Sequence, residues 1–257
     1  PEKIVQTCPI AVCQREGFDD AKTIVNTLEK KYGGDFVLLD YVGKNVSSSH
    51  IKAQLLLGEK PDCIDDKVYA EIERMGFFGE YRDMVSKLKS YQTDDLFEHS
   101  KAVVLTAIDL NSRHNLKQDF TKVFLACLLH DNAKQRPSLD GLNVPIDAVG
   151  TPVLHQFLGA EKARRDFGVT DTDILDAIRY HTTAKADMTT LEKLVYTADS
   201  VSYDRNYAPI PSIRRIAFDD FDEGFRAVLK YTYDKVSAKG VGMHPLTAEA
   251  KLCYLDK

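Results

Sequence analysis

The apolar run FLACLLHDNAK sets His130 and Asp131 side by side where a core helix runs out. A charged pair placed against a core is costly unless something offsets its desolvation. His99 and Asp199 raise the same question, because EHS opens one helical pattern and LEKLVYTADS closes another. Taken singly, a histidine on an apolar face is most often a hydrogen-bonded core residue. An aspartate near a helix C-terminus opposes the helix dipole and wants a cation. Neither Asp131 nor Asp199 has an adjacent Arg or Lys committed to neutralising it. Taken as a set, the two histidines and two aspartates make a mixed nitrogen–oxygen donor group, and one divalent cation would answer the desolvation of all four. Such donors suit Fe, Mn, Co or Zn rather than Ca or Mg. Fewer than six protein ligands leaves room for water and substrate, and a bound metal acidifies its water and polarises a phosphoryl oxygen.

These side chains must be positioned by helices. From Tyr81 onward the strand signals vanish, and eight segments carry apolar residues at helical intervals: 81–91, 98–114, 119–131, 151–168, 172–182, 189–202, 221–240 and 245–255. Asp, Ser or Thr precedes many of them and Gly ends several. The long irregular stretch QRPSLDGLNVPIDAVG has the character of a lid or binding loop. Upstream, CPIAVC and DFVLLDYV are apolar and β-branched, and the helical pattern DDAKTIVNTLEKKYG lies between them. Strand, helix, strand predicts a small α/β unit with parallel pairing. The fold class expected is therefore mostly α: an all-helical domain over 81–257, preceded by an α/β segment over 1–80.

The ordered set EHS, LLHDNAK, LHQF and AIRYHTTAKADMTTLEKLVYTADS resembles the HD phosphohydrolase superfamily. It is similar in particular to its YqeK-type branch, the symmetrical bis(5'-nucleosyl)-tetraphosphatases. The resemblance runs from about Tyr81 to the C-terminus. It implies metal ligands at His99, His130, Asp131 and Asp199, with iron the expected ion and Mn, Co or Zn as alternatives. It implies nucleotide contacts at Lys134, His155, His181, Thr182 and Arg205. His155 and His181 are alternatively the ligands of a second metal. The implied reaction is attack of metal-activated water on diadenosine tetraphosphate to give two ADP, with His130, Asp131 and Lys134 at the catalytic centre. Alternatives are an HD hydrolase for another nucleoside di- or triphosphate, or a nucleotide-binding module without turnover.

Two positions depart from the family pattern. Leu96 stands where members usually carry Arg, a contact that Arg113 or Arg136 would have to replace. Gln156 stands where they carry Gly.

The segment VSSSHIKAQLLLGEKPDCIDDKVYAEIERMGFFGEY resembles the C-terminal end of nicotinate-nucleotide adenylyltransferases, in which a Ser-rich helix start helps bind ATP phosphates. Ser47, Ser48, Ser49, Ile51 and Lys52 match that motif. The HxGH-type catalytic motif of that family does not occur, so the chain reads as the tail of a fused adenylyltransferase–HD protein, incapable of adenylyl transfer by itself.

Bulk properties leave room for a small-molecule nucleotide partner held by a metal and a few placed cations. The chain has 257 residues, 44% apolar and 28% charged, with a formal charge of -5 and no basic block, which argues against a nucleic-acid partner. Five scattered cysteines form no disulfide framework or CxxC metal site. No stretch is apolar enough to span a bilayer and no signal peptide is evident. A cytoplasmic location is expected, and a homodimer stays open.

Overall fold

The computed structural model describes residues 2–16, 20–43, 46–139, 141–240 and 242–256. The elements in order are α1 (Glu2–Val5), β1 (Ile10–Arg15), α2 (Ala21–Tyr32), β2 (Phe36–Gly43), α3 (Ser48–Leu56), α4 (Asp66–Met75), α5 (Arg82–Tyr91), α6 (Asp94–Arg113), α7 (Phe120–Leu129), α8 (Leu154–Phe167), α9 (Thr172–Arg179), α10 (Thr190–Val201), α11 (Ile210–Asp219), α12 (Phe221–Ala238) and α13 (Pro245–Tyr254). One turn of 3₁₀ helix, Ile146–Ala148, lies in the loop before α8.

The chain divides into two units, Pro1–Ser48 and Ser49–Lys257. In the first, β1 and β2 pair in parallel, Ile10 opposite Phe36, with a register irregularity after Cys13. The helix between them starts on Asp20, whose carboxylate accepts the Thr23 amide, and ends at Gly33. The strand–helix–strand reading is what forms.

The division falls at Ser48 rather than near residue 80. Ala53, Leu56 and Leu57 are buried in the helical core, so the division cuts the Ser-rich motif, and Ser49 and everything after it belong to the second unit. Apolar burial, not the change from strand to helix patterning, sets the boundary.

The core of the helical unit is built on α7, buried without interruption from Val123 to Leu129. A helix that is apolar all round must be central, and α6, α9 and α10 pack against it. The sequence LLHDNAK thus ends in the interior. The start of α10 is held by a reciprocal capping box, in which Thr189 accepts the Glu192 amide and Glu192 accepts the Thr189 amide.

Between residues 81 and 257 the described elements include one α-helix more than the periodicity predicts. The addition is α11, entered through Pro209 and Pro211, residues tolerated in a first turn. It crosses α12 closely, and a Cβ on Gly224 would overlap Ala217. Gly224→Ala gains about 1 kcal/mol of helix propensity but costs about 1–3 kcal/mol in overpacking. A lower melting temperature is therefore expected by calorimetry, and a rise would contradict this close crossing.

Candidate metal centre

Past Leu129 the chain leaves α-helical hydrogen bonding. Amides of Asn132, Lys134 and Arg136 bond three residues back, to Leu129, Asp131 and Ala133. This tightening sets His130 and Asp131, both fully buried, toward one centre, with His130 Nε2 3.3 Å from Asp131 Oδ2.

Three histidines are oriented by the same local device. Nδ1 of His130 donates to Cys127 O at 2.7 Å, Nδ1 of His155 to Pro152 O at 2.8 Å, and Nδ1 of His181 to Ile178 O at 2.7 Å. A carbonyl can only accept, so in the neutral ring the proton is on Nδ1 and the Nε2 lone pair faces the centre. His99 is oriented differently, with Nδ1 on the Asp204 carboxylate at 2.9 Å and Nε2 3.0 Å from Asp199 Oδ1. A carboxylate behind an imidazole is a frequent support for metal-binding histidine.

These acceptors converge with too few donors. His155 Nε2 and His181 Nε2 lie 3.2 Å apart, and each is 3.4 Å from Asp131 Oδ1. Burial and the neighbouring His181 lower His155 to about 4, so its ring is neutral at pH 7. Among the described residues, His130 Nε2 and Asp131 Oδ1 are buried with no hydrogen-bond partner. Orphaned buried acceptors are costly, and a shared cation answers them. Among the described residues, two donor sets have ligand atoms within 4.8 Å of one another: His99, His130 and Asp199, and His130, Asp131 and His181. His130 belongs to both. The four histidine and aspartate positions read from the sequence thus meet at one centre, but Asp131 groups with His181 rather than with His99 and Asp199.

Both aspartates also have a cation in the fold, contrary to the sequence reading. Lys134 Nζ is 2.6 Å from Asp131 Oδ2, and Arg205 Nη2 is 2.8 Å from Asp199 Oδ1. Burial opposes ionisation of Asp199, but the hydrogen bond from His99 and the Arg205 charge outweigh it and hold its carboxyl well below the usual range. Burial likewise opposes charge on His99, and its bonds to Asp199 and Asp204 outweigh it, raising the ring to about 9. Thr182 Oγ1 lies 3.0 Å from His155 Nε2, within reach of donation. Every candidate site residue is therefore at or beside the centre.

The proposed substitutes for the family arginine are not. Arg113 is fourteen residues from His99 along α6, about 21 Å, and its Nε points to Phe218 O. Arg136 donates to Ser90 O at 2.7 Å and lies 4.3 Å over the Tyr91 ring. Gln156, the other departure, is fully buried. Its carbonyl accepts the Thr182 and Thr183 amides at 2.9 and 3.0 Å, and its amide donates to Thr183 Oγ1 at 2.9 Å. It fastens the turn that carries His181 and Thr182. Gln156→Ala strands the buried Thr183 amide and the part-buried Thr182 amide, a cost of about 2–3 kcal/mol, so the melting temperature should drop by about 5–10 °C. An unchanged melt would remove Gln156 from this role.

Sequence reasoning overlooked Asp204 and the fastening role of Gln156. Asp204 directly precedes Arg205 in SYDRN, but nothing in its spacing says that it reaches back to His99.

An interior helix ending in His-Asp, met by a histidine and an aspartate from flanking helices, defines an HD-domain hydrolase, and the HD domain family matches residues 96–204. The chain is 33% identical over 168 residues to the symmetrical bis(5'-nucleosyl)-tetraphosphatase of Bacillus subtilis, covering 62% of this chain and 89% of that one. It is 29% identical to the Halalkalibacterium halodurans protein of the same name, with the same coverage of 62% and 89%. It is 27% identical to a probable nicotinate-nucleotide adenylyltransferase/Ap4A hydrolase of Mycoplasma genitalium, spanning 60% of this chain and 47% of that relative. Among solved structures, a predicted HD superfamily hydrolase involved in NAD metabolism from Clostridium acetobutylicum aligns with a TM-score of 0.63 at 27% identity, over 69% of this chain and 97% of that one. The chain belongs to the YqeK-type family of HD-domain hydrolases. It is a metal-dependent phosphohydrolase by family, and no helix among its described residues is long and apolar enough to cross a membrane.

Proposed function

We propose that this chain hydrolyses diadenosine tetraphosphate symmetrically, water and the central phosphoanhydride bond giving two ADP. The observation that carries the reading is a buried set of imidazole and carboxylate acceptors bracketed by two cations, Lys134 at the Asp131 end and Arg205 at the Asp199 end. Cleavage at the midpoint of a four-phosphate chain leaves equal charge on both sides, and cations on both flanks match that demand. The names of the relatives support the same substrate.

His99, His130, Asp131 and Asp199 would hold the metal, with iron the expected ion and Mn, Co or Zn the alternatives. When bound, a divalent metal supplies a water acidic enough to attack near neutral pH and polarises a phosphoryl oxygen. The two donor sets sharing His130 favour a second ion, with His181 and His155 as its added ligands. The protein's own groups do the rest. Lys134 and Arg205 leave their aspartates for phosphate oxygens, Arg205 in a bidentate grip. With one ion bound, His155, neutral at pH 7, accepts a proton or a hydrogen bond at Nε2 rather than donating one, and Thr182 donates its hydroxyl.

Metal analysis of the purified protein, followed by product identification with and without chelator, tests the proposal. Two ADP per substrate, abolished by chelator, is expected. ATP plus AMP would exclude symmetrical cleavage, turnover only of other nucleotides would move the substrate assignment, and binding without turnover would leave a nucleotide-binding module.

A further inference from the structure

A cavity of about 190 Å³ opens beside the centre, between α10, α12 and the segment after Ser202. His181, Thr182, Asp199 and Arg205 form the wall it shares with the metal-binding cluster. Its outer wall carries Tyr207, Tyr231, Lys235 and Lys239. Lys235 and Lys239 lie one turn apart at the C-terminal end of α12, where lysines also complement the helix dipole. That dipole role does not explain why both border a cavity that reaches Asp199. The nearest acid on α12, Asp234, is taken by Lys230 at 2.7 Å, and among the described residues neither cavity lysine is in an ion pair. Lys235 Nζ sits 5.4 Å from the Tyr231 ring centre, and the half-exposed Tyr207 accepts from Arg205 at 3.2 Å.

We infer that this cavity is the subsite for the second nucleotide half of a dinucleoside polyphosphate, on the side of the centre opposite Lys134. The assignment rests on the proposed function and deepens it. Arg205 grips the phosphate next to the scissile bond, Lys235 and Lys239 neutralise the outer phosphate, and the tyrosine faces receive the base. A mononucleotide would occupy the Lys134 side alone. The α12 lysines would thus set the preference for a long, two-ended substrate over ADP.

The test uses the full chain with its metal and two probes, ADP and a methylene-bridged diadenosine tetraphosphate that cannot be cleaved. Equilibrium titration is made on wild type and on K235A/K239A, both positions being exposed. The double variant is expected to bind the bridged analogue about tenfold more weakly, the sum of two exposed charge contacts. ADP affinity should change less than twofold, and KM for diadenosine tetraphosphate should rise in step with the analogue. Unchanged analogue affinity, in a wild type that does make two ADP, overturns the subsite and leaves the proposed function standing. A wild type that neither binds the analogue nor cleaves the tetraphosphate overturns both.

Discussion

His130→Ala should lose its metal and with it hydrolysis, by on the order of a thousandfold or more, since several kcal/mol of charge stabilisation goes at about 1.4 kcal/mol per tenfold. The expectation is this large because His130 alone belongs to both donor sets. Its Nε2 is buried, without a partner, and aimed by the Nδ1 bond to Cys127 O. Removing the ring therefore takes a ligand from either a one-metal or a two-metal centre. Metal content, measured by mass spectrometry of the protein, should fall to background. Loss of fold is separable by melting: saturating metal should raise the wild-type midpoint by about 10 °C and leave the variant unmoved. Lys134→Ala is the companion. Its ammonium pairs with Asp131 but is not a ligand, so this variant should keep its metal and show its loss chiefly in KM. A His130→Ala protein that retains full metal and activity would place the centre elsewhere.

Stability should respond to pH in opposite senses with and without metal. In the metal-free fold His99 sits between Asp199 and Asp204 and is raised to about 9, against about 6.5 in the unfolded chain. The native state therefore holds more protons between these values, and stability falls as pH rises through them. This contribution is fully present below pH 6.5 and gone above about 9. His155, lowered to about 4, titrates in the acid window below 6.5 and leaves the upper window alone. His50, raised by its bond to Asp109, adds to the same sense, so His99→Gln is the control that isolates the site. Metal binding must expel the His99 proton, so apparent affinity should strengthen by up to about tenfold per pH unit until His99 is neutral. Melting series from pH 6 to 9.5 should show the metal-free protein weakening as pH rises and the ion tightening its hold at limiting metal. A metal-free series that is flat, and identical in His99→Gln, would show that the two carboxylates do not hold that proton.

Much of this was legible because helices and strands have fixed side-chain periods. Apolar spacing located the helices around the centre, the flanking strands predicted a parallel pair, and the uninterrupted run before His130 said that the doublet ends in the interior. The types and order of His99, His130, Asp131 and Asp199 were enough to imply a transition-metal site. Periodicity says which face of a helix is buried, not which buried faces meet. Asp131 grouping with His181, Asp204 reaching back to His99, Arg205 lying on Asp199 and Gln156 fastening the Thr182 turn are contacts between residues 6 to 105 positions apart. The same limit hid the division at Ser48, which depends on where Ala53, Leu56 and Leu57 find a core. Local sequence determined the candidate ligands and the helices that carry them. Only tertiary packing decided how they divide around His130, because ångström distances between helices arise from the side chains filling the space between them.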